Sequence, residues 1–184
     1  MHGNRPAATF AALLLTGLVA GAAGAVAEDA PRVSKDVGPA SAACDRFGKE
    51  TAGWRGCVGA AVAAMPDAEL FYAGYWLSKT GRYAEALAYL ELTRRKDERV
   101  LTYIGFATRK LGDIEAALPL YARALEINPD YVVARAYLGD AYLTKGEPSK
   151  AKAQLAEIER RCGKTCAPYA DLASHIAEFE QAKG

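Results

Sequence analysis

The sequence of 184 residues lacks an excess of either charge. It contains 23 lysines and arginines against 22 aspartates and glutamates, which gives a formal net charge of +1. Arg5 is the one charged residue among the first 27, so loss of that segment leaves the two signs balanced. Proteins that bind nucleic acid or anionic membranes through charge carry basic patches and a basic excess. The composition therefore predicts no nucleic-acid partner.

Histidine is scarce, and the motifs of catalysis are missing. The chain has two histidines, His2 and His175. No serine or cysteine has a histidine near it in a pattern typical of nucleophilic catalysis, and no glycine-rich loop is suited to cradle a phosphate. We therefore expect no enzymatic activity and no cofactor. We expect His175 to be a half-exposed structural residue beside the apolar face of its helix.

Long apolar runs are also missing, except near the start of the chain. Residues 7–23 are almost all Ala, Leu, Val and Gly, follow Arg5, and lead into small residues that end at Ala27. This arrangement is typical of a signal peptide, and the run is short for a bilayer span of about 20 residues. The sequence predicts a signal peptide over 1–27 with cleavage after Ala27, a periplasmic or secreted protein, and no stable membrane insertion after cleavage. Residues 28–43, rich in Ala, Pro, Ser and charge, are predicted to form a flexible leader.

What the sequence does have is a set of regularly spaced glycines in three pairs. Within each pair the second glycine lies seven residues after the first, and an alanine and a large apolar residue follow it five and nine residues later. Such self-similarity indicates a repeat protein. A glycine within a helix costs about 1 kcal/mol relative to alanine, so we expect the first glycine to allow close approach of the unit's second helix. The pairs are Gly74 and Gly81, Gly105 and Gly112, and Gly139 and Gly146.

The apolar periodicity predicts where the helical units lie. Apolar residues recur at i, i+3, i+4 and i+7 in the first half of each unit, and a second helix follows each turn. The predicted units cover residues 67–97, 98–131 and 132–161. After them, residues 167–181 carry apolar side chains on one side and charged ones on the other, which predicts a capping helix with a polar outer face.

This pattern resembles the tetratricopeptide repeat, a helix-turn-helix of about 34 residues, over residues 67–161. In the second unit the two glycines and Tyr121, Ala124 and Pro129 follow the family pattern closely. The resemblance implies an all-α protein, a right-handed α-solenoid of three units plus the capping helix. It also implies a non-catalytic adaptor or scaffold, in which the first helices line a concave groove that holds a protein or peptide. The signal-peptide pattern and the cysteine count together predict that this adaptor lies in the bacterial periplasm or envelope.

The resemblance places a particular set of side chains in that groove. Several are aromatic and a few are cationic, a mixture suited to an apolar peptide that carries an acidic group. A second interpretation, that the tyrosines only pack against neighbouring helices, stays open. The groove residues that the resemblance implies are Phe71, Tyr75, Arg99, Thr102, Tyr103, Phe106, Arg109, Lys110, Tyr137 and Asp140.

The four cysteines, an even number in a chain predicted to be exported, indicate disulfides. Three pairings are possible in principle. The ends of a solenoid lie far apart and a disulfide needs α-carbons within about 7 Å, so the local bonds Cys44 to Cys57 and Cys162 to Cys166 are favoured. Twelve and three residues separate these pairs, whereas zinc knuckles have two, so we expect no metal.

The first bond would make residues 44–66 a disulfide-linked N-terminal segment. Its glycines at 48, 53, 56 and 59 are expected to break any long helix, which leaves a short helix over 58–65.

Two other functions remain open at the level of sequence. The protein could be a cysteine-based thiol or metal carrier, which would require reduced thiols or bound metal. It could also be a purely structural subunit of an envelope complex, in which case substitutions in the groove would be silent.

Overall fold

The computed structural model describes residue 46 and residues 51–182, all of which belong to one compact unit, Arg32–Gly184. The predicted signal peptide, leader and Cys44 lie outside the described residues. Every regular element that the structure describes is helical, and none of these helices is long and apolar enough to cross a membrane. The α-helices are α1 Ala52–Ala63, α2 Asp67–Lys79, α3 Tyr83–Leu90, α4 Glu98–Lys110, α5 Ile114–Ile127, α6 Val132–Thr144, α7 Pro148–Cys162 and α8 Ala167–Gln181.

Helix α1 contradicts the prediction that glycines interrupt this stretch. It runs over Ala52–Ala63 and includes Gly53, Gly56 and Gly59. The prediction of a break, with a short helix over 58–65, is wrong. A helical glycine weakens the helix by about 1 kcal/mol but still forms its backbone hydrogen bonds. The helix ends instead just before Pro66, whose missing N–H cannot continue the pattern.

Helices α2 to α7 form three helix-turn-helix units with a glycine in each turn. The second glycine of every pair has a positive φ, 81° at Gly81, 102° at Gly112 and 76° at Gly146. Residues other than glycine rarely adopt this backbone conformation. The N–H of the next residue then reaches back to a carbonyl of the first helix, as from Arg82 to Leu77 at 2.9 Å. The prediction that these glycines form the turns is confirmed.

The first glycine of each pair leaves a notch in the first helix of its unit. In the first two units the second helix fills this notch, as the sequence predicts. A methyl group on Gly74 would overlap the side chain of Leu90 on α3, and one on Gly105 would lie 2.9 Å from Cε1 of Tyr121 on α5. Both filling side chains are completely buried.

The third notch is filled differently. A methyl group on Gly139 would lie 2.6 Å from Cδ2 of Leu172, which belongs to α8 and not to α7. The prediction that each unit's own second helix occupies the notch is therefore wrong for the third unit. Leu172 and Ile176 are buried there, so α8 packs against α6 as a structural part of the stack.

A cluster of charged groups ties α7 to the turn before α6. The Glu157 carboxylate accepts hydrogen bonds from Arg160 and, at 2.6 Å, from Arg161, which also donates to Asp130 at 3.0 Å. These two arginines, Arg160 first, lower the pKa of Glu157 to about 2. The contribution of this carboxylate to stability is thus present above the ordinary pKa and is lost as the pH falls from about 4.5 towards 2.

We expect Glu157→Gln to be less stable than the wild-type protein at neutral pH, by a small amount because the carboxylate is solvated. The difference should shrink as the pH is lowered through this window and vanish only below pH 2, where the Glu157 carboxyl is protonated in the folded protein as well. Urea unfolding at a series of pH values measures it. A difference that stays constant with pH would show that the carboxylate charge does not matter.

Candidate peptide-binding surface

A continuous row of aromatic rings crosses the first helices of the three units. Phe71 and Tyr75 come from α2, Tyr103 and Phe106 from α4, and Tyr137 from α6; these five residues are called the aromatic row below. Ring centroids lie 5.8 Å apart for Phe71 and Tyr103, 6.0 Å for Tyr103 and Tyr137, and 4.7 Å for Phe106 and Tyr137. These separations are typical of favourable aromatic pairs. Neighbouring first helices thus present one connected aromatic surface.

The members of the aromatic row differ in exposure. Phe71 and Tyr103 are 7% and 6% exposed, so they form the base of the row. Burial raises the pKa of Tyr103 far above its ordinary value. For Tyr103 the second interpretation from the sequence, that it packs between helices, is the better description. Tyr75, Phe106 and Tyr137 remain partly exposed and are available to a ligand.

Thr102 does not belong to this surface. It is completely buried, and its hydroxyl donates to the carbonyl oxygen of Glu98 at 2.6 Å. One residue corresponds to about 100° of rotation around a helix, so Thr102 and Tyr103 face different neighbours. The expectation that Thr102 lines the groove is incorrect, because no ligand reaches a fully buried side chain.

A pocket of about 340 Å³ lies at the end of the aromatic row, where α4, α6 and α8 meet. It brings together five of the residues that the resemblance implies: Phe106, Arg109, Lys110, Tyr137 and Asp140. It also contains residues that the sequence did not indicate as part of a site, namely Lys79, Tyr83, Asp171 and His175.

Asp140 links the three helices around the pocket. One carboxylate oxygen lies 3.4 Å from Nη2 of Arg109 on α4, and the other lies 2.7 Å from Nδ1 of His175 on α8. The side chains of Arg109 and Asp140 are only 10% and 14% exposed, whereas that of His175 is 48% exposed. Asp140 therefore uses both oxygens within the protein, and its charge is largely compensated.

Two polar atoms are buried behind the pocket without a hydrogen-bond partner among the described residues. They are Nε of Arg109 and the hydroxyl oxygen of Tyr121. Burial raises the pKa of Tyr121, although the nearby Arg109 guanidinium opposes this effect.

Cationic side chains lie over the aromatic rings. Arg99 is 5.0 Å from the ring centroid of Phe71, Lys110 is 5.7 Å from that of Phe106, and Lys79 is 6.0 Å from that of Tyr75. Contacts of this length fall within the range of cation–π attraction. Arg99 also pairs with a carboxylate of its own helix start, but Lys79 and Lys110 form no ion pair within residues 51–182.

The structure thus divides the residues implied by the resemblance into three groups. Phe106, Arg109, Lys110, Tyr137 and Asp140 line the pocket, while Phe71, Tyr75, Tyr103 and Arg99 continue along the aromatic row, and Thr102 is buried elsewhere. The one sequence signal for His175 was its position between Leu172 and Ile176. A helix that buries those two against α6 carries residue 175 at the edge of the contact.

Disulfide bonds occur at both ends of the described chain. Cys162 and Cys166 are joined, with α-carbons 5.9 Å apart, across the corner between α7 and α8. Cys57 is also disulfide-bonded. Its predicted partner, Cys44, lies outside the described residues, so that pairing stays a prediction.

The structure contains three helical pairs, each with a glycine in its turn, and their first helices share one aromatic surface. This architecture is that of a helical-repeat protein. A family model described as the tetratricopeptide repeat matches residues 109–176. The chain is also similar to the Photosystem I assembly protein Ycf3 of Acaryochloris marina (strain MBIC 11017), with 37% identity over 87 residues. That alignment covers 47% of this chain and 52% of the relative, so the chain spans about half the relative's length. The matched residues and the stacked helical pairs support a tetratricopeptide-repeat protein, and such repeats indicate an adaptor for protein interactions.

Proposed function

We propose that the protein is a non-catalytic adaptor that holds a segment of a partner protein along the aromatic row and in the pocket. The observation that carries this proposal is the closely packed pair of Phe106 and Tyr137, partly exposed at the mouth of a pocket of about 340 Å³. Partly exposed aromatic rings in a concave site are typical of the anchoring points of protein interfaces.

The charges around the pocket favour a segment with acidic groups. Asp140 is paired with the Arg109 guanidinium and its other oxygen contacts His175, so its carboxylate repels an anion weakly. Lys79 and Lys110 lie at the rim without an ion pair among the described residues and keep their charge for a ligand. Complementary charge of this kind mainly selects between partners and speeds their encounter. The proposed ligand therefore alternates large apolar side chains with carboxylates.

The proposed compartment is the periplasm or the extracellular space. Support comes from the signal-peptide pattern that ends at Ala27 and from the bonded cysteines, which are typical of an oxidising environment. Identification of Glu28 as the N-terminus of the exported protein by mass spectrometry would test this point. Recovery of the uncleaved chain from the cytoplasm would contradict it.

The similarity to a relative named as an assembly protein supports a role in bringing other proteins together. We propose such an assembly role in the envelope, without extending it to the relative's own substrate. The alternative of a thiol or metal carrier gains no support from Cys57, Cys162 and Cys166, which are all disulfide-bonded.

A charge-matched pair of probe peptides tests the proposed surface. One is a capped hexapeptide that alternates glutamate with phenylalanine, and the other alternates lysine with phenylalanine. We expect the glutamate peptide to bind about tenfold more tightly, and Lys110→Glu to weaken its binding by about fivefold or more. Lys110 is preferred over Arg109 as the mutated cation, because Arg109 is largely buried and its replacement would disturb the helices.

Fluorescence anisotropy with labelled peptides gives the affinities, and circular dichroism checks that each variant is folded. Arg123→Glu is the matched control, since Arg123 is exposed on α5, which contributes no side chain to the pocket. Equal affinity for the two peptides, or equal loss in the Lys110 and Arg123 variants, would place binding on another face.

A further inference from the structure

The pocket depends on the position of α8. This helix contributes Asp171, Leu172 and His175 to the lining. Leu172 enters the notch at Gly139, and His175 contacts Asp140 at 2.7 Å. A movement of α8 away from α6 would remove one wall of the pocket and would also release the carboxylate that holds Arg109.

The start of α8 is fixed by a covalent bond. Helix α7 ends at Cys162 and α8 begins at Ala167, and the Cys162–Cys166 disulfide closes the short corner between them. The corner also contains Gly163, whose φ of 75° suits a sharp change of direction. Towards its other end, α8 is attached to α7 by an exposed ion pair between Glu180 and Lys152. Exposed ion pairs of this kind contribute little to stability. Apart from the apolar contact between α8 and α6, the disulfide is therefore the main local constraint on the position of α8.

We infer that the Cys162–Cys166 disulfide is a redox-sensitive control of the pocket, and that its reduction weakens ligand binding. The inference rests on the proposed function, because the regulated property is the affinity of that pocket. Reduction lets the corner sample more conformations, so α8 spends less time docked in the notch at Gly139.

The reductant is a small dithiol or a protein dithiol. Its thiolate attacks Sγ of Cys162, because Cys162 is the more exposed residue of the pair. The S–S bond then breaks, and Cys166 leaves as a thiolate. The second thiol of the reductant then attacks the mixed disulfide and displaces Cys162. Both protein thiolates take up protons, and the reductant is left as a disulfide, having donated two electrons.

The test separates this bond from the other disulfide. The first variant, Cys44→Ser with Cys57→Ser, leaves Cys162–Cys166 as the bond that dithiothreitol can reduce. The second variant, Cys162→Ser with Cys166→Ser, lacks this bond even when no dithiothreitol is added. We expect amide hydrogen exchange in α8 to become about tenfold faster after reduction of the first variant, with α4 and α5 unchanged. The glutamate–phenylalanine hexapeptide should then bind about three- to tenfold more weakly.

The Cys162→Ser, Cys166→Ser variant should show the fast exchange and the weak binding with and without dithiothreitol. Unchanged exchange in α8 after reduction, or full affinity in this variant, would overturn the inference. If the oxidised wild-type protein does not bind the hexapeptide at all, the proposed function fails in this form. The hydrogen exchange of α8 still decides whether the bond controls the pocket wall.

Discussion

Replacing Tyr121 by alanine should lower the free energy of unfolding by about 3–5 kcal/mol, whereas replacing it by phenylalanine should leave stability unchanged or slightly raised. Tyr121 is 0% exposed, and its ring lies against the notch at Gly105. Truncation removes this ring and leaves a cavity between α4 and α5. The hydroxyl, in contrast, lies near the Arg109 guanidinium but makes no hydrogen bond of good geometry among the described residues, so its removal costs little.

Urea unfolding of the two variants beside the wild-type protein measures both effects. The pair is informative because the variants share the loss of the hydroxyl and differ only in the ring. A loss of more than about 1 kcal/mol in the Phe variant would mean that the hydroxyl has a partner, for example a buried water shared with Arg109.

The second large effect is expected at the contact between α8 and α6. Leu172→Ala removes a completely buried side chain and should cost about 2–5 kcal/mol. Gly139→Ala should cost about 1–3 kcal/mol, because its methyl group would lie 2.6 Å from Leu172 Cδ2. In the double variant the new methyl group occupies space that the leucine has left. The double variant should therefore be more stable than the sum of the single changes predicts, by about 0.5–3 kcal/mol.

Leu155 provides the matched control for this cycle. It is a partly buried leucine on α7, the helix that the sequence predicts to fill the third notch. Leu155→Ala should combine additively with Gly139→Ala to within about 0.5 kcal/mol. Coupling of Gly139 to Leu155 and not to Leu172 would mean that α7 occupies the notch and that the packing of α8 described above is wrong.

These two sites also show which parts of the fold the sequence could predict. The turns at Gly81, Gly112 and Gly146 were predictable because they depend on local backbone conformation. The partner of Gly139 was not, because periodicity shows that a helix has a small-residue face but not which helix packs there. The full length of helix α1 was also not predicted. The low helix propensity of glycine is a weak local effect, and no turn follows Gly53, Gly56 or Gly59.

The same distinction applies to the candidate site. Residues on the first helices, such as Phe106 and Tyr137, could be assigned from their place in the repeat, because neighbouring units present equivalent positions to one side. His175 and Asp171 lie on a helix outside the repeat pattern, and their place in the pocket depends on how α8 docks. Thr102 was assigned wrongly because a one-residue step around α4 moves a side chain from the surface into the core.

The leucine that α8 places in the notch at Gly139 has a consequence for the length of the stack. Repeat units add to one another through exposed apolar ends, and an uncovered end invites a further unit or a second molecule. Here the end of the third unit is covered by α8, whose outer side carries exposed residues such as Glu178 and Glu180. Helix α8 therefore covers this end of the third unit, and a chain shortened before Cys166 would expose a leucine-sized slot through which molecules could polymerise end to end.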